Sequence, residues 1–308
     1  MTGAARRFRA GAVWATLRGE RFTSHVSVEP VLSELRIRTA TRYLQPLREG
    51  GSLPAVVETD DGGLFVTKFR GAGQGAKALI AELVAGLLAQ HLELPTPELS
   101  LIVIPPTFGR SEPDSEIQDI LRGSHGVNVG ARYLDGAFNF DPSAAGNLVS
   151  AALAARIVWF DAYLTNPDRT ARNPNILIWD RRPWLIDHGA ALYAHHDWEA
   201  VDDARTRSSF PLIRQHTLLG VSGDLVEADA ELTARLDDAV LGSVLASVPD
   251  ELLASPGGNA DDTPAALRER YRRYLSRRLA SPRAFVVEAI EARDALRREP
   301  PSPMSARR

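Results

Sequence analysis

Asn166-Pro167-Asp168-Arg169-Thr170-Ala171-Arg172-Asn173 is followed, fourteen residues after its last member, by Asp187-His188-Gly189. An Asp and an Asn five apart, then an Asp-x-Gly beyond a short hairpin, is an arrangement that places a catalytic base and two magnesium ligands for phosphoryl transfer. Mg²⁺ takes hard oxygen ligands and commonly only one or two carboxylates, with water and phosphate oxygens supplying the rest. Asp187 and Asn173 suffice as that protein share. Asp168 is left to orient an acceptor hydroxyl and receive its proton.

The segments on either side support the grouping. Asn175–Trp179 and Pro183–Asp187 are β-rich runs joined by the polar turn Asp180-Arg181-Arg182, so they are expected to pair antiparallel with Asn173 and Asp187 at one open end. Upstream, Ser150–Leu164 reads as an apolar helix whose only charged members are Arg156 and Asp161, a buried support for the loop. Taken alone, the Asp168–Asn173 stretch also reads as an ordinary polar turn, since Asn, Pro, Asp and Thr are common turn formers. The hairpin and Ile186-Asp187-His188-Gly189 at the right distance favour the chemical reading.

Phosphates also need a cation. Of 36 Lys and Arg only two are lysine, Lys68 and Lys77. Lys68 ends the alternating run Gly63–Phe69 that follows an Asp60-Asp61-Gly62-Gly63 turn, and a compact ammonium on a strand suits a point-charge contact to phosphate. Ala78–Leu92 is apolar nearly all round, which signals a buried helix, and Glu82 is its only carboxylate. A buried carboxylate needs a partner, and Lys68 is the natural one.

Two glycine runs flank this strand. Gly50-Gly51-Ser52 forms a turn suited to covering phosphates, and Gly71, Gly73 and Gly75 precede the helix where backbone N–H groups attract anions. Either run is equally explained by tight turns. Gly71–Ala76 also imitates a dinucleotide fingerprint, with Glu93 or Glu98 as ribose acid, which would suit a dehydrogenase. That alternative leaves Asp168, Asn173 and Asp187 without a use. Ala76 stands where a Walker A loop needs its second glycine.

From about Val31 to Trp198 the chain resembles the actinobacterial HipA-like kinase family. The resemblance is carried by Ala40-Thr41-Arg42-Tyr43 through Gly50-Gly51-Ser52, the run from Lys68 to Gly75, Asn166–Leu177, and Leu185–Gly189. It implies an α+β, bilobal protein-kinase-like fold: a small antiparallel β-sheet lobe plus one helix, and a larger, mostly helical lobe. It also implies ATP, Mg²⁺ and transfer to a protein Ser/Thr hydroxyl, with roles for Lys68, Asp168, Asn173 and Asp187. His188 stands where eukaryotic kinases have phenylalanine, which keeps small-molecule and lipid acceptors open as alternatives. A nucleotide-binding pseudokinase acting as a regulatory module is the rival from another class. The chain is shorter than HipA toxins that carry an extra N-terminal subdomain, so no antitoxin partner is assumed.

Composition agrees with two lobes. The chain has 308 residues, 44% of them hydrophobic, and a net charge of −3, enough for separate cores and too near neutral to advertise nucleic-acid binding. Zero cysteines exclude disulfides and thiolate zinc sites. No run of eighteen apolar residues suggests a membrane span, and Arg6–Leu17 lacks a signal cleavage site, so a cytoplasmic protein is expected.

The expected organisation is an N-terminal extension over 1–30, a small nucleotide-binding lobe over 31–135, a helical catalytic lobe over 136–298 and a disordered tail over 299–308. Strands are expected at Ala55–Glu58, Leu99–Ile104 and Val127–Leu134, with a short helix at Glu116–Arg122. Adenine is expected against backbone groups at Tyr133 and Leu134. Later helices are expected over Leu212–Leu219, Asp229–Val248 and Pro264–Arg297. His195-His196-Asp197 is too contiguous to converge on one metal ion, and the arginines of Arg268–Arg283, interleaved with Tyr271 and Tyr274, read as a solvated face.

Overall fold

Alternation along the lysine strand builds two surfaces at once. In β3 (Leu64–Lys68), Phe65 joins an apolar core while Val66 and Lys68 line a cleft. The computed structural model describes residues 35–47, 53–73, 75–110, 112–142, 148–254 and 262–298. The expected extension 1–30, the Gly50-Gly51-Ser52 turn and the tail 299–308 lie outside the described residues.

Five strands, β1 (Arg36–Pro46), β2 (Ala55–Thr59), β3, β4 (Leu99–Ile104) and β5 (Gly126–Arg132), close into a barrel in the order β1-β2-β3-β5-β4. All neighbours are antiparallel except β1 and β4, which run parallel from the Arg36–Ser100 pair to Thr39–Val103. This corrects the expectation of a small antiparallel sheet. The eleven-residue β1 shifts register twice against β2, and such irregularities bend a strand, here far enough to pair on both sides and remove the open edge.

Beside the one helix implied by the resemblance, the same region holds the short helix expected over Glu116–Arg122. α1 (Gly75–His91) is buried without interruption from Ala78 to Ala89, as its all-round apolar sequence demands. α2 (Ser115–Gly123) is amphipathic and capped by Asp114, whose carboxylate accepts from the N–H of Glu116 at 2.9 Å.

Beyond the barrel come β6 (Phe138–Asn139), α3 (Ala151–Tyr163), β7 (Ile176–Trp179) and β8 (Arg182–Leu185), with β6-β7-β8 forming an antiparallel sheet. Asp180 and Arg181 have φ of 48° and 59°, the two-residue turn whose twist suits a hairpin, so Arg182 begins β8 instead of belonging to the turn. Then follow α4 (Asp203–Thr206), α5 (Leu225–Ala234), α6 (Asp238–Ala246), α7 (Asp250–Leu253), α8 (Pro264–Leu279) and α9 (Ala284–Arg298).

Three helix expectations change here. Leu212–Leu219 is two 3₁₀ segments, Pro211–Gln215 and Leu219–Val221, because His216 adopts an extended conformation (φ −65°, ψ 129°) between them and donates to Asp161. Asp229–Val248 breaks where Asp237 caps α6, accepting from the Val240 N–H at 2.8 Å. Pro264–Arg297 breaks at Pro282, which has no N–H to continue the ladder.

The Arg268–Arg283 face is not simply solvated either. Tyr271, Tyr274 and Arg278 are buried, and Arg278 donates to the carbonyls of Tyr163 at 2.8 Å and Ala162 at 3.0 Å, satisfying the end of α3. Two apolar cores result. One fills the barrel around Val57, Phe65 and Ile102; the other joins α1, through Leu83 and Leu87, to Trp159 and Phe160 of α3. No described helix is long and apolar enough to cross a membrane.

Candidate active site

A cleft of about 1080 Å³ is lined by Lys68, Glu82, Tyr133, Leu134, Asp168, Asn173 and Asp187. Five separated segments of the chain thereby meet on one cavity: the end of β3, the middle of α1, the stretch after β5, the loop after α3 and the residues after β8.

Lys68 Nζ donates to Glu82 Oε2 at 2.7 Å and also to Asp187 Oδ1. Burial alone would lower the Lys68 ammonium, but the Glu82 and Asp187 carboxylates outweigh it and hold its pKa above the ordinary lysine value. Burial likewise pushes the Asp187 carboxyl up, and the neighbouring Lys68 charge overrides that, leaving it below the usual carboxylate range. Lys68 and Asp187 are therefore both charged at neutral pH. Asp187 has a φ of 54°, a left-handed conformation that few non-glycine residues adopt and that tertiary contacts must enforce.

The loop carrying Asp168 hangs from a buried carboxylate. Asp161, in the last turn of α3, accepts from Asn166 Nδ2 at 2.9 Å, Arg169 Nε at 2.6 Å and His216 Nε2 at 2.9 Å. Arg169 and Asp161 have side chains 0% and 1% exposed, a closed ion pair beneath the loop. Burial pushes the Asp161 carboxyl up, but Arg169 and the His216 hydrogen bond outweigh it and hold the group well below the usual range. His216 Nδ1 accepts from the Leu218 N–H, so the ring is neutral with its proton on Nε2.

Arg169 then reaches further. Its Nη1 donates to the carbonyls of Asn175 and Ile186, and its Nη2 to His188 Nδ1 at 3.3 Å. One guanidinium thus ties the Asp168 loop to the Asp187-His188-Gly189 turn. Burial, with the Arg169 charge adding to it, lowers the His188 imidazole to about 4.

Asp168 Oδ2 accepts from Asn173 Nδ2 at 2.9 Å and Asn175 Nδ2 at 3.1 Å, and Oδ1 has no hydrogen-bond partner among the described residues. Asn173 spends its amide nitrogen on this bond, which leaves its Oδ1 available, and the Asp187 carboxylate lines the same cleft. Two hard oxygens of this kind fit a divalent cation that draws its other ligands from phosphate and water. No group of three or more His, Cys, Asp or Glu positioned to hold a metal occurs among the described residues.

At the far side of the cleft the Tyr133 N–H is used by the Leu64 carbonyl and the Leu134 carbonyl by the Ala137 N–H. The Tyr133 carbonyl and Leu134 N–H have no backbone partner among the described residues, an acceptor and donor pair suited to a base edge.

Other expected residues are placed elsewhere. Gly71 and Gly73 border a separate depression with Ser115, Glu116 and Asp119 of α2, and they do not line the cleft. A Cβ on Gly71 would stand 2.5 Å from the Ile120 carbonyl oxygen, so this glycine lets the loop pack on α2. Gly75 also lies off the cleft lining and opens α1 with a φ of 61°. Asn175, Arg169 and His216 escape sequence reasoning as working parts. Asn175 reads as the first residue of a strand and Arg169 only as an unassigned member of the polar Asp168–Asn173 stretch; the one available signal is the lone Asp161 in an apolar helix, which demands buried partners.

A family model for HipA-like kinases matches residues 41–268, a span that contains every cleft residue named above. The protein is a kinase, and so a phosphotransferase. More narrowly, the chain belongs to the HipA-like kinase family. Among solved structures it is similar to a Helicobacter pylori proinflammatory kinase, CtkA, with 14% identity over 83% of this chain and 98% of that one and a TM-score of 0.47. No curated protein matches it.

Proposed function

We propose that the chain is an ATP- and Mg²⁺-dependent kinase that transfers the γ-phosphoryl group to a protein Ser/Thr hydroxyl in the cytoplasm. The observation that carries this reading is the convergence of the Lys68–Glu82–Asp187 cluster with Asp168 and Asn173 on one cleft. Lys68, held by Glu82, contacts the ATP phosphates, and the Tyr133 carbonyl and Leu134 N–H take the adenine edge. Asn173 and Asp187 hold Mg²⁺, which when bound neutralises phosphate charge.

Asp168 orients the acceptor hydroxyl through the oxygen that no amide occupies. As the acceptor oxygen bonds to the γ-phosphorus, the bond from that phosphorus to the β–γ bridging oxygen breaks, ADP leaves with the electron pair, and the hydroxyl proton passes to Asp168. The reading includes a two-lobed, protein-kinase-like arrangement with lobes over 31–135 and 136–298. The Ser/Thr acceptor and an actinobacterial placement within the family rest on the sequence resemblance.

Incubation with γ-labelled ATP tests it. Wild type should label itself, a peptide or proteins of a cell lysate, while Asp168→Ala and Asp187→Ala should not. ATP binding with no transfer by wild type would make the chain a regulatory pseudokinase. Transfer only to small molecules or lipids would correct the acceptor class.

A further inference from the structure

We propose that Arg172 is a catalytic residue whose guanidinium binds the γ-phosphoryl group during transfer, an inference that rests on the kinase reading above. Among the described residues the cations lining the cleft are Lys68, Arg132 and Arg172. Lys68 is tied to Glu82 and Asp187, and Arg132 stands 3.6 Å from Glu98. Arg169, beside Asp168, is buried and committed to Asp161. Arg132 and Arg172 are both exposed, but Arg172 alone among these makes no hydrogen bond or ion pair among the described residues.

Its backbone, in contrast, is fixed. The Thr170 N–H donates to the Asn173 carbonyl at 3.0 Å, and the Asn173 N–H donates to Thr170 Oγ1 at 3.3 Å, closing a four-residue turn with Arg172 as its third member. That turn is pinned below by Arg169, whose carbonyl accepts from the Thr217 N–H at 3.0 Å, and by the Thr170–His216 bridge. Arg172 is therefore anchored one residue from the metal-holding Asn173 and four from the base Asp168, with its charged end unspent.

Charge counting shows why such a group is needed. The charge of Lys68 is already met by two carboxylates, so it adds little net positive charge for the transferring group. Phosphoryl transfer spreads negative charge over three equatorial oxygens, and a planar guanidinium can meet two of them at once. In the step written above the proton still goes to Asp168; Arg172 contributes charge and two hydrogen bonds and exchanges no proton.

The full chain would be assayed with γ-labelled ATP, Mg²⁺, itself and dephosphorylated casein as acceptors, and a fluorescent ATP analogue for affinity. Arg172→Ala should lower kcat by roughly a hundredfold or more, on the scale of other transition-state arginines, while nucleotide affinity changes less than about threefold. Arg172→Lys should fall between, added guanidinium ion should restore part of the Ala variant's rate, and the rate ratio of ATP to its γ-thio analogue should shrink. Arg181→Ala, in the exposed hairpin turn, should behave as wild type. A wild-type kcat in Arg172→Ala, or a loss confined to nucleotide affinity, would overturn the role of Arg172 and leave the kinase reading standing. ATP binding without any transfer by wild type would remove both.

Discussion

Asp161 touches no substrate, yet it accepts hydrogen bonds from Asn166, Arg169 and His216 and so sets the height of the loop that carries Asp168. Asp161→Asn would leave the Arg169 guanidinium buried without its carboxylate, a change that costs about 3–5 kcal/mol. Thermal and urea unfolding should both show the loss, and phosphate transfer should drop with it. Asn175 permits a cleaner cut. It has a φ of 47° and gives its amide to Asp168, so Asn175→Gly keeps the backbone conformation and deletes the hydrogen bond. A hydrogen bond to a charged group contributes about 1.5–3 kcal/mol, so kcat should fall roughly tenfold to a hundredfold with nucleotide affinity and melting temperature little changed. The sequence named Asp168 and Asn173 because their spacing is local. It did not name Asn175 or Arg169, whose partners lie across the fold.

At the scale of elements, α1 is the part whose position matters most, because it brings Glu82 to Lys68 and shares its core with α3. Gly86, one turn after Glu82, faces β4: a Cβ there would stand 2.4 Å from Leu99 Cδ1, and Leu99 is itself buried. Gly86→Ala should overpack this contact at a cost of about 1–3 kcal/mol and push α1 outward. A lower melting temperature together with weaker nucleotide binding would be the signature, and weaker binding should persist at temperatures where the variant is fully folded. α3 was legible nearly to the residue, since Ser150 supplies its N-cap and Arg156 and Asp161 are its only charges. The helices after residue 210 were less so. Their breaks at His216 and Asp237 depend on one polar side chain choosing a partner over helical geometry, and periodicity does not register that choice.

For the whole molecule, buried histidines couple folding to pH. Burial lowers His188 to about 4 and His195 to about 3, each with neighbouring positive charge adding, and burial also lowers His216 against the pull of Asp161. An unfolded chain takes up these protons near pH 6.5, before the folded chain can. Stability should thus be fully present above about pH 6.5 and fall as the pH drops toward 4, with each histidine adding up to about 1.4 kcal/mol per pH unit. The lowered carboxylates Asp161 and Asp187 act in the same direction but only from about pH 4 downward, where unfolded Asp begins to protonate. Urea unfolding of wild type and His195→Phe between pH 7.5 and 4.5 measures this. The variant should lose about one proton's worth of slope, and an unchanged slope would show that His195 is not coupled to folding.

The amino-acid sequence alone determined that a strand lysine, a helix glutamate, a base, an amide and a metal-loop aspartate exist at spacings fit for phosphoryl transfer, because those signals are carried by short-range periodicity and turn chemistry. Tertiary structure alone decided that the strands close into a barrel, that Gly71 packs on α2 away from the cleft, and that Arg169 is spent under the loop while Arg172 has no partner among the described residues. The reason is physical. Which polar group pairs with which depends on what is buried together, and burial is fixed only once distant segments share a core.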